Sequence, residues 1–264
     1  MTRHDERDTR AGIHPWAQEG FDRAAAAYER ARPSYPAAAV AYLVARLGLR
    51  VGATVVDLAA GTGKLGRLLL PSGARVVAVE PVATMRELIP ADRIEVFAGR
   101  AEAIPLPAAA ADAVVVGQAF QWFDTHAALT EVHRVLRPTG GLAIVRNRRQ
   151  LDDPVQRAYE EILGRHRSHP SLEADLDVAS SLRDSGLFAA PELRNFAHDH
   201  ELAAGDIVPL AASETSIATL DGEARAAAVA DFERLAASLP MRLRLRYTTE
   251  IYVAHRLGDD ESGR

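Results

Sequence analysis

Short apolar runs, each followed by a helical stretch or a long loop, dominate the first half of the chain. The runs are rich in Val, and they lie at 53–60, 76–80, 93–99, 112–118 and 141–147. Strands that are apolar throughout, rather than alternating, are buried on both faces of a sheet. Because helical segments separate them, the runs predict βαβ units and an α/β fold with a doubly wound, mostly parallel sheet.

Helices are predicted before and between these strands. The segment 21–32 is rich in helix formers and stops before a proline. A second helix is predicted to start at Pro36, where a missing N–H group costs nothing. A third is predicted to end at Arg137-Pro138, before a turn at 139–141. Its apolar face consists of Ala128, Leu129, Val132 and Leu136.

The second half of the chain has a looser pattern until its last strand. A helix is predicted over 151–166 and a strand over 193–202. Another helix is predicted to present one apolar face made of Val229, Phe232, Leu235 and Leu239. Near the end, arginine alternates with apolar residues at Arg242, Leu243, Arg244, Leu245, Arg246 and Tyr247. This period of two predicts a strand whose arginine face is solvated.

Composition narrows the class of protein. The 264 residues, of which 48% are hydrophobic and 25% charged, suffice for one large domain, or for one domain with a smaller attached part. The absence of cysteine excludes disulfides and thiolate chemistry. A net charge of −5 argues against a nucleic-acid partner, and no apolar run approaches the ~18 residues of a membrane span. The first ten residues are too polar for a signal peptide, so we expect a soluble cytoplasmic protein without a membrane partner.

A glycine turn after the first strand carries the most informative motif. Gly61, Gly63 and Gly66 follow a G-x-G-x-x-G pattern, in which glycines let the backbone approach a ligand closely. The turn differs from a phosphate-binding P-loop, because Leu58 stands where the first glycine would be. Glu80 follows Gly61 at close to the ~20 residues at which a ribose-binding acid is expected. Two classes of cofactor, dinucleotides and S-adenosyl-L-methionine, share these requirements.

Asp57, at the end of the first strand, distinguishes between the two ligands. A dinucleotide places its pyrophosphate beside the turn, where a buried carboxylate would face like charge at unfavourable cost. A ligand with an ammonium and a sulfonium, such as S-adenosyl-L-methionine, would instead be attracted. The alternative interpretation is that Asp57 is a turn acid, which accepts hydrogen bonds from backbone N–H groups.

With these residues the chain resembles the class I S-adenosylmethionine-dependent methyltransferases, in particular the methyltransferase type 11 group with trans-aconitate- and quinone-type enzymes. The segment 57–63 is similar to the first motif of that family, with Ala59 where many members have glycine, and 76–81 is similar to the second-strand motif. Segments 99–107, 117–123 and 136–141 are similar to the adenine loop, the segment after the fourth strand and the approach to the fifth. The N-terminal signature and the final strand of the group are similar to 21–36 and 246–250.

The resemblance implies a Rossmann-like sheet of seven strands whose last strand is antiparallel, with a helical cap. It implies four parts: an arm with a cofactor-covering helix (1–35), the S-adenosylmethionine-binding core (36–150), a substrate-side cap with the sixth strand (151–240), and the final strand with a tail (241–264). Cofactor binding is implied for Tyr28, Arg32, Asp57, Ala59, Gly61, Gly63, Glu80, Pro81, Ala101, Glu102 and Gln118.

Among these residues, Glu80 is expected on the ribose, Ala101 and Glu102 at the adenine, and Gln118 beside the methionine moiety. Arg32 lies one helical turn from Tyr28 and is expected to clamp the carboxylate of the cofactor.

Gln121 and Trp122 are the candidates on the substrate side. Many members of the group have His where this chain has Gln121, and Gln can form hydrogen bonds but cannot act as a base at neutral pH. The sequence therefore assigns no catalytic base. Trp122 is a candidate for an aromatic wall beside the sulfonium, with core packing as the alternative. No metal is expected, because His198 and His200 share one side of a predicted strand without identifiable further ligands.

The function predicted from these features is in-line transfer of a methyl group to a small-molecule acceptor. Two other hypotheses stay open. One is an NAD(P)-dependent oxidoreductase that uses the same glycine turn. The other is an S-adenosylmethionine-binding protein that regulates, or that performs non-methylating chemistry on the cofactor.

Overall fold

The computed structural model describes residue 29 and residues 31–167 and 176–258. The strands in this part of the chain are β1 (Thr54–Leu58), β2 (Arg75–Val79), β3 (Glu95–Phe97), β4 (Ala111–Gly117), β5 (Leu136–Arg149), β6 (Glu192–Ala203) and β7 (Arg242–His255). The helices are α1 (Ala37–Arg46), α2 (Lys64–Leu69), α3 (Ala83–Arg86), α4 (Thr125–Val135), α5 (Pro154–His166), α6 (Val178–Asp184), α7 (Ile207–Ala212), α8 (Thr215–Ala218) and α9 (Gly222–Ala237).

The seven described strands form one sheet in the order β3-β2-β1-β4-β5-β7-β6. The first five strands of the chain are parallel, and β7 is antiparallel to both of its neighbours, β5 and β6. The strand order reverses between β1 and β4, and ligands of such sheets bind outside the carboxyl ends of the strands at this switch point. The predicted fold class, including the antiparallel last strand, is confirmed.

Burial on both faces explains why the apolar runs form strands. All five residues of β1 are buried. Val56 and Leu58 belong to the apolar cluster that includes α4, whereas Val55 belongs to the cluster on the other face, which includes α1 and α2. The sheet is therefore covered by helices on both sides, and the glycine turn after β1 emerges from a rigid core.

The start of β5 differs from the predicted pattern. Leu136, predicted to lie on the face of the preceding helix, is a strand residue that pairs with Ala111 of β4. The register then shifts before Gly141 pairs with Ala113, so the predicted turn at 139–141 is an irregular part of the strand. Apolar spacing could not locate this boundary, because Val135 and Leu136 are both fully buried, one at the end of α4 and the other in β5.

A third apolar cluster forms a cap at one end of the sheet. Helices α5, α7, α8 and α9 pack there with the first half of β7, around the buried side chains of Tyr159, Phe232 and Leu245. The short helices α6, α7 and α8 have seven, six and four residues, too few to show a helical period in the sequence. Phe232 is buried on α9 as predicted, but Leu239 lies beyond the end of that helix.

The alternating pattern near the end of the chain forms β7 as predicted. Arg242, Arg244 and Arg246 are exposed, and the apolar residues between them are buried. This strand therefore closes the cap on one side and presents charge to solvent on the other.

Candidate functional site

The glycine turn joins β1 to α2 through left-handed backbone at three positions. Gly61 and Gly63 have φ of 58° and 79°, and Ala59 has φ of 53°. Glycine adopts this region without steric cost, whereas the Cβ atom of alanine makes it unfavourable. The turn is tight, because the Gly63 N–H donates to the Ala60 carbonyl over 2.8 Å. Ala59 therefore stores strain at the point where the family motif commonly has glycine.

Asp57 lies beneath this turn with 1% of its surface exposed. Its Oδ2 accepts a hydrogen bond of 2.8 Å from the backbone N–H of Gly66, on α2. Burial raises the pKa of the Asp57 carboxyl to about 7, against the effect of that hydrogen bond. The turn-acid contact is thus present, and the same side chain also lines the cleft described below.

Glu80 fixes the other side of the turn from the tip of β2. Its Oε2 accepts from the Gly61 N–H over 2.8 Å, and its Oε1 accepts from the Val82 N–H over 2.9 Å. Only 4% of the residue is exposed, and burial raises the pKa of its carboxyl group. The two acids predicted from the sequence therefore lie on either side of one loop, at the carboxyl ends of adjacent parallel strands.

A cleft opens next to the turn. Its lining includes one acidic side chain, two basic side chains and a tyrosine. The residues that line it are Arg32, Pro33, Tyr35, Asp57, Ala60, Lys64, Leu65, Gly117 and Gln118. Of the predicted cofactor residues, the structure thus brings Arg32, Asp57 and Gln118 together.

Two polar side chains of the cleft, those of Tyr35 and Lys64, were not among the candidates from the sequence. A Cβ atom at Gly117 would lie 2.7 Å from the hydroxyl of Tyr35, so glycine at this position makes room for the tyrosine. Lys64 donates from Nζ to the backbone carbonyl of Arg32 over 2.9 Å, and burial lowers the pKa of its ammonium group. Both lie in quoted motifs, but nothing in the spacing shows that their side chains converge.

Arg32 contacts the cap through its guanidinium group. Nε donates to the Ser213 hydroxyl over 2.9 Å, and Nη2 forms an ion pair of 2.6 Å with Glu214. The clamp on a cofactor carboxylate stays a prediction, and in this structure the carboxylate of Glu214 is the partner of Nη2. Tyr28, predicted to share a helix face with Arg32, lies outside the described residues.

Gln118 is held rigidly at the end of β4. Its backbone is left-handed, with φ of 57°. Its Oε1 accepts from the backbone N–H of Asn147 over 3.0 Å, and the Asn147 side chain donates to the Ser34 carbonyl over 3.2 Å. Asn147 therefore ties β4, β5 and the segment before α1 together, a role that no sequence motif indicated.

The remaining predicted residues lie along the loops around the turn. Pro81 follows Glu80 and accepts from Arg86 through its carbonyl group. Ala101 is buried in the cluster that includes α4, and Oε1 of Glu102 accepts from the Asp124 N–H over 3.0 Å. The adenine-side roles of these residues stay predictions.

The substrate-side candidates follow β4 in a short 3₁₀ helix over Phe120–Trp122. Gln121 donates from Nε2 to the backbone carbonyl of Gln118 over 3.1 Å. Trp122 is half-buried against the cluster that includes α4. Gln121 thus serves as a hydrogen-bond donor to the same segment that carries Gln118.

No group of three or more His, Asp or Glu residues is placed to hold a metal ion in the described part of the chain. His200, on β6, contacts the Ala31 carbonyl through Nε2 over 3.0 Å. Across residues 31–167 and 176–258, no helix is long and apolar enough to cross a membrane.

Comparisons with known proteins point to one family. Residues 56–144 match a family described as "Methyltransferase domain". An uncharacterized methyltransferase of Mycobacterium tuberculosis is 44% identical over 147 residues, which are 55% of this chain and 59% of that protein. A ubiquinone/menaquinone biosynthesis C-methyltransferase of Hahella chejuensis is 34% identical over 132 residues, 45% of this chain and 53% of that protein. The matches thus span just over half the length of these curated relatives.

A solved structure of a putative type II methyltransferase from Anaeromyxobacter dehalogenans has the same fold. Its TM-score is 0.59 at 22% sequence identity, and the match covers 85% of this chain and 97% of that chain. Together with the family match over β1 to β5, this likeness agrees with the resemblance seen in the sequence motifs.

Proposed function

We propose that this chain is a class I S-adenosylmethionine-dependent methyltransferase, which transfers a methyl group from that cofactor to a small-molecule acceptor. The observation that carries the proposal is the buried carboxylate of Asp57, which lines the cleft at the glycine turn. A buried carboxylate attracts a cationic ligand and repels a pyrophosphate. It therefore favours S-adenosylmethionine over a dinucleotide.

The charges around the cleft fit the methionine part of this cofactor, which carries an ammonium, a sulfonium and a carboxylate. Asp57 supplies a negative charge to the cleft, while Arg32 and Lys64 supply positive charges. The residues proposed to hold the cofactor are Tyr28, Arg32, Asp57, Ala59, Gly61, Gly63, Glu80, Pro81, Ala101, Glu102 and Gln118.

Glu80 is proposed to bind the ribose hydroxyls. Each of its oxygens accepts one backbone N–H, and an ionised carboxylate has about four acceptor sites, so two remain for a ligand. Glu80→Ala is expected to weaken the binding of S-adenosylhomocysteine by about tenfold or more, measured by calorimetry. Glu95→Ala, which removes an exposed acid of β3, is the matched control and should leave the affinity unchanged. An unchanged affinity in Glu80→Ala would show that the ribose assignment is wrong.

When bound, the cofactor supplies a methyl carbon that its sulfonium already activates. The protein then has to align the acceptor and exclude water, and such alignment contributes roughly 7–11 kcal/mol. Gln121 donates its amide N–H to a backbone carbonyl and cannot take up a proton. The proposed mechanism therefore assigns no base at this position, and Trp122 is proposed as an aromatic wall beside the sulfonium.

Turnover tests the proposal directly. The purified protein is incubated with S-adenosylmethionine and a protein-free metabolite extract, and products are followed by mass spectrometry. Formation of S-adenosylhomocysteine together with a methylated small molecule is the expected result, and Glu80→Ala should slow it. Consumption of the cofactor without S-adenosylhomocysteine would support non-methylating chemistry instead. Tight binding without consumption would support a regulatory protein.

A further inference from the structure

A buried group of polar side chains lies between the cofactor cleft and the cap. We call it the arginine–tyrosine cluster and define it as Arg149, Tyr159 and Tyr247, with Glu214 as the acid that links it to the cleft. Arg149 is the last residue of β5 and pairs across the sheet with Tyr247 of β7. The Arg149 guanidinium carbon lies 4.5 Å from the ring centre of Tyr159, on α5, and 6.0 Å from that of Tyr247. Three separate elements therefore bring these side chains together.

Glu214 joins this cluster to the wall of the cleft. Its Oε2 lies 2.6 Å from Nη2 of Arg32, and its Oε1 lies 2.5 Å from Nη2 of Arg149. Because Arg32 lines the cleft, the cluster is one side chain away from the proposed methionine site.

Three polar atoms of the cluster are buried without a hydrogen-bond partner among the described residues. They are Nε of Arg149 and the hydroxyl oxygens of Tyr159 and Tyr247. Buried polar groups are nearly always paired, and each unpaired one calls for a physical explanation. All three can donate a hydrogen bond, so together they form a set of donors that lacks an acceptor.

The cluster also has an excess of positive charge. Arg149 has Glu214 at 2.5 Å and Glu160 at 3.8 Å, but Glu160 also binds Arg167 at 3.0 Å. The guanidinium groups of Arg32, Arg149 and Arg167 thus share two carboxylates. The two arginines beside Glu214 lower the pKa of its carboxyl despite burial, which keeps it charged.

We propose that the arginine–tyrosine cluster binds a carboxylate group of the methyl acceptor. The proposal rests on the proposed function, because it is that function which makes the ligand a methyl acceptor. A carboxylate is negatively charged and accepts several hydrogen bonds, which suits the Arg149 guanidinium and the three unpaired donors. A phosphate carries up to about two charges at pH 7 and would bring more negative charge into the buried cluster than a carboxylate. The side chains of Arg149 and Glu214 keep 17% and 14% of their surface exposed.

Binding of small probes tests this site on the full chain. Formate, acetate and benzoate are titrated against their neutral isosteres formamide, acetamide and benzamide, with S-adenosylhomocysteine present and ionic strength held constant with chloride. We expect a saturable rise of Tm with at least one carboxylate and none with its amide. Phenyl phosphate is the competing anion and should bind more weakly than benzoate. Equal responses to acid and amide, or a preference for the phosphate, would overturn the proposal.

Tyr159→Phe and Tyr247→Phe keep the rings and remove only the unpaired hydroxyls. We expect each to weaken carboxylate binding by about tenfold while raising the Tm of the ligand-free protein, because a buried unpaired group is removed. A purely structural role for the hydroxyls would lower that Tm instead. Tyr252→Phe is the matched control and should leave carboxylate affinity unchanged. Tyr252 lies on the same strand as Tyr247 but packs against the apolar cluster that includes α4, on the other face of the sheet.

Arg149→Gln provides an independent variant, because Glu214 keeps Arg32 as its partner. It should abolish the response to carboxylates and leave the affinity for S-adenosylhomocysteine, measured by calorimetry, within about twofold. If S-adenosylhomocysteine binds but no carboxylate does, this inference fails and the proposed function stands. Carboxylate binding without binding of the cofactor product would overturn both, since the ligand would then not be a methyl acceptor.

Discussion

Ala59 holds a left-handed backbone at the residue where β1 leaves the sheet, with φ of 53°. The Cβ atom makes this conformation cost roughly 1–2 kcal/mol, while glycine adds about 0.5–1 kcal/mol of unfolded-state entropy. Ala59→Gly is therefore expected to raise the free energy of unfolding by up to about 1 kcal/mol in urea denaturation.

The neighbouring Ala60→Gly is the matched control for this change. Ala60 does not have a positive φ, so its replacement should lower the free energy of unfolding by roughly 0.5–1 kcal/mol. If the two substitutions destabilise the protein equally, the strain assigned to Ala59 is absent.

Asp57 is expected to make stability depend on pH. Burial raises the pKa of its carboxyl to about 7, against about 3.9 in an unfolded chain. Between these values the folded state binds more protons than the unfolded state, so the free energy of unfolding falls as pH rises. This destabilisation is complete above about pH 7 and is relieved as pH falls toward the unfolded pKa.

Asp57→Asn removes this titration and keeps an oxygen that can accept from Gly66. Urea unfolding at about pH 5 and about pH 8 should show the unsubstituted protein losing on the order of 1–4 kcal/mol more stability than the variant. Parallel pH profiles for the two proteins would mean that the carboxyl titrates normally.

Helix α2 packs close to β1 and β2 because Gly66, on the helix, has no side chain. A Cβ atom at Gly66 would lie 2.9 Å from Oδ2 of Asp57 and 3.2 Å from Cγ1 of Val76. Gly66→Ala is therefore expected to push the helix away from the sheet, with a loss of roughly 1–3 kcal/mol in the free energy of unfolding and weaker cofactor binding.

Gly164→Ala, inside α5, is the matched control, because it also places a methyl group on a helical glycine. A Cβ atom there would meet nothing within 4 Å, so helix propensity should stabilise the protein by roughly 0.5–1 kcal/mol. Thermal unfolding of both variants checks the pair. A neutral effect of Gly66→Ala would contradict the packing described for α2.

Elements with a strong local signal were predicted well. The runs of Val in β1, β2 and β4 are buried on both faces, and such burial leaves an uninterrupted apolar pattern in the sequence. The short helices α7 and α8 leave no such pattern, because tertiary packing in the cap holds them rather than their own periodicity.

At the scale of the whole molecule, the sequence identified the residues of the glycine turn but not the contacts between distant segments. Asp57 and Glu80 lie close to the glycines along the chain, so spacing alone located them. The link from Arg32 to Glu214 joins residues 182 positions apart, and the pairing of Arg149 with Tyr247 depends on how β7 enters the sheet. Those contacts form only after the cap has folded onto the core.

Asp57, the acid at the end of β1, is proposed to select a cationic ligand over one that carries phosphates. Calorimetric titration of the unsubstituted protein and Asp57→Asn with S-adenosylmethionine and with NAD⁺ measures this selection directly. We predict that the unsubstituted protein binds S-adenosylmethionine at least about tenfold more tightly than NAD⁺, and that Asp57→Asn loses about tenfold for S-adenosylmethionine only. Tighter binding of NAD⁺, or an unchanged affinity of Asp57→Asn for S-adenosylmethionine, would contradict the account.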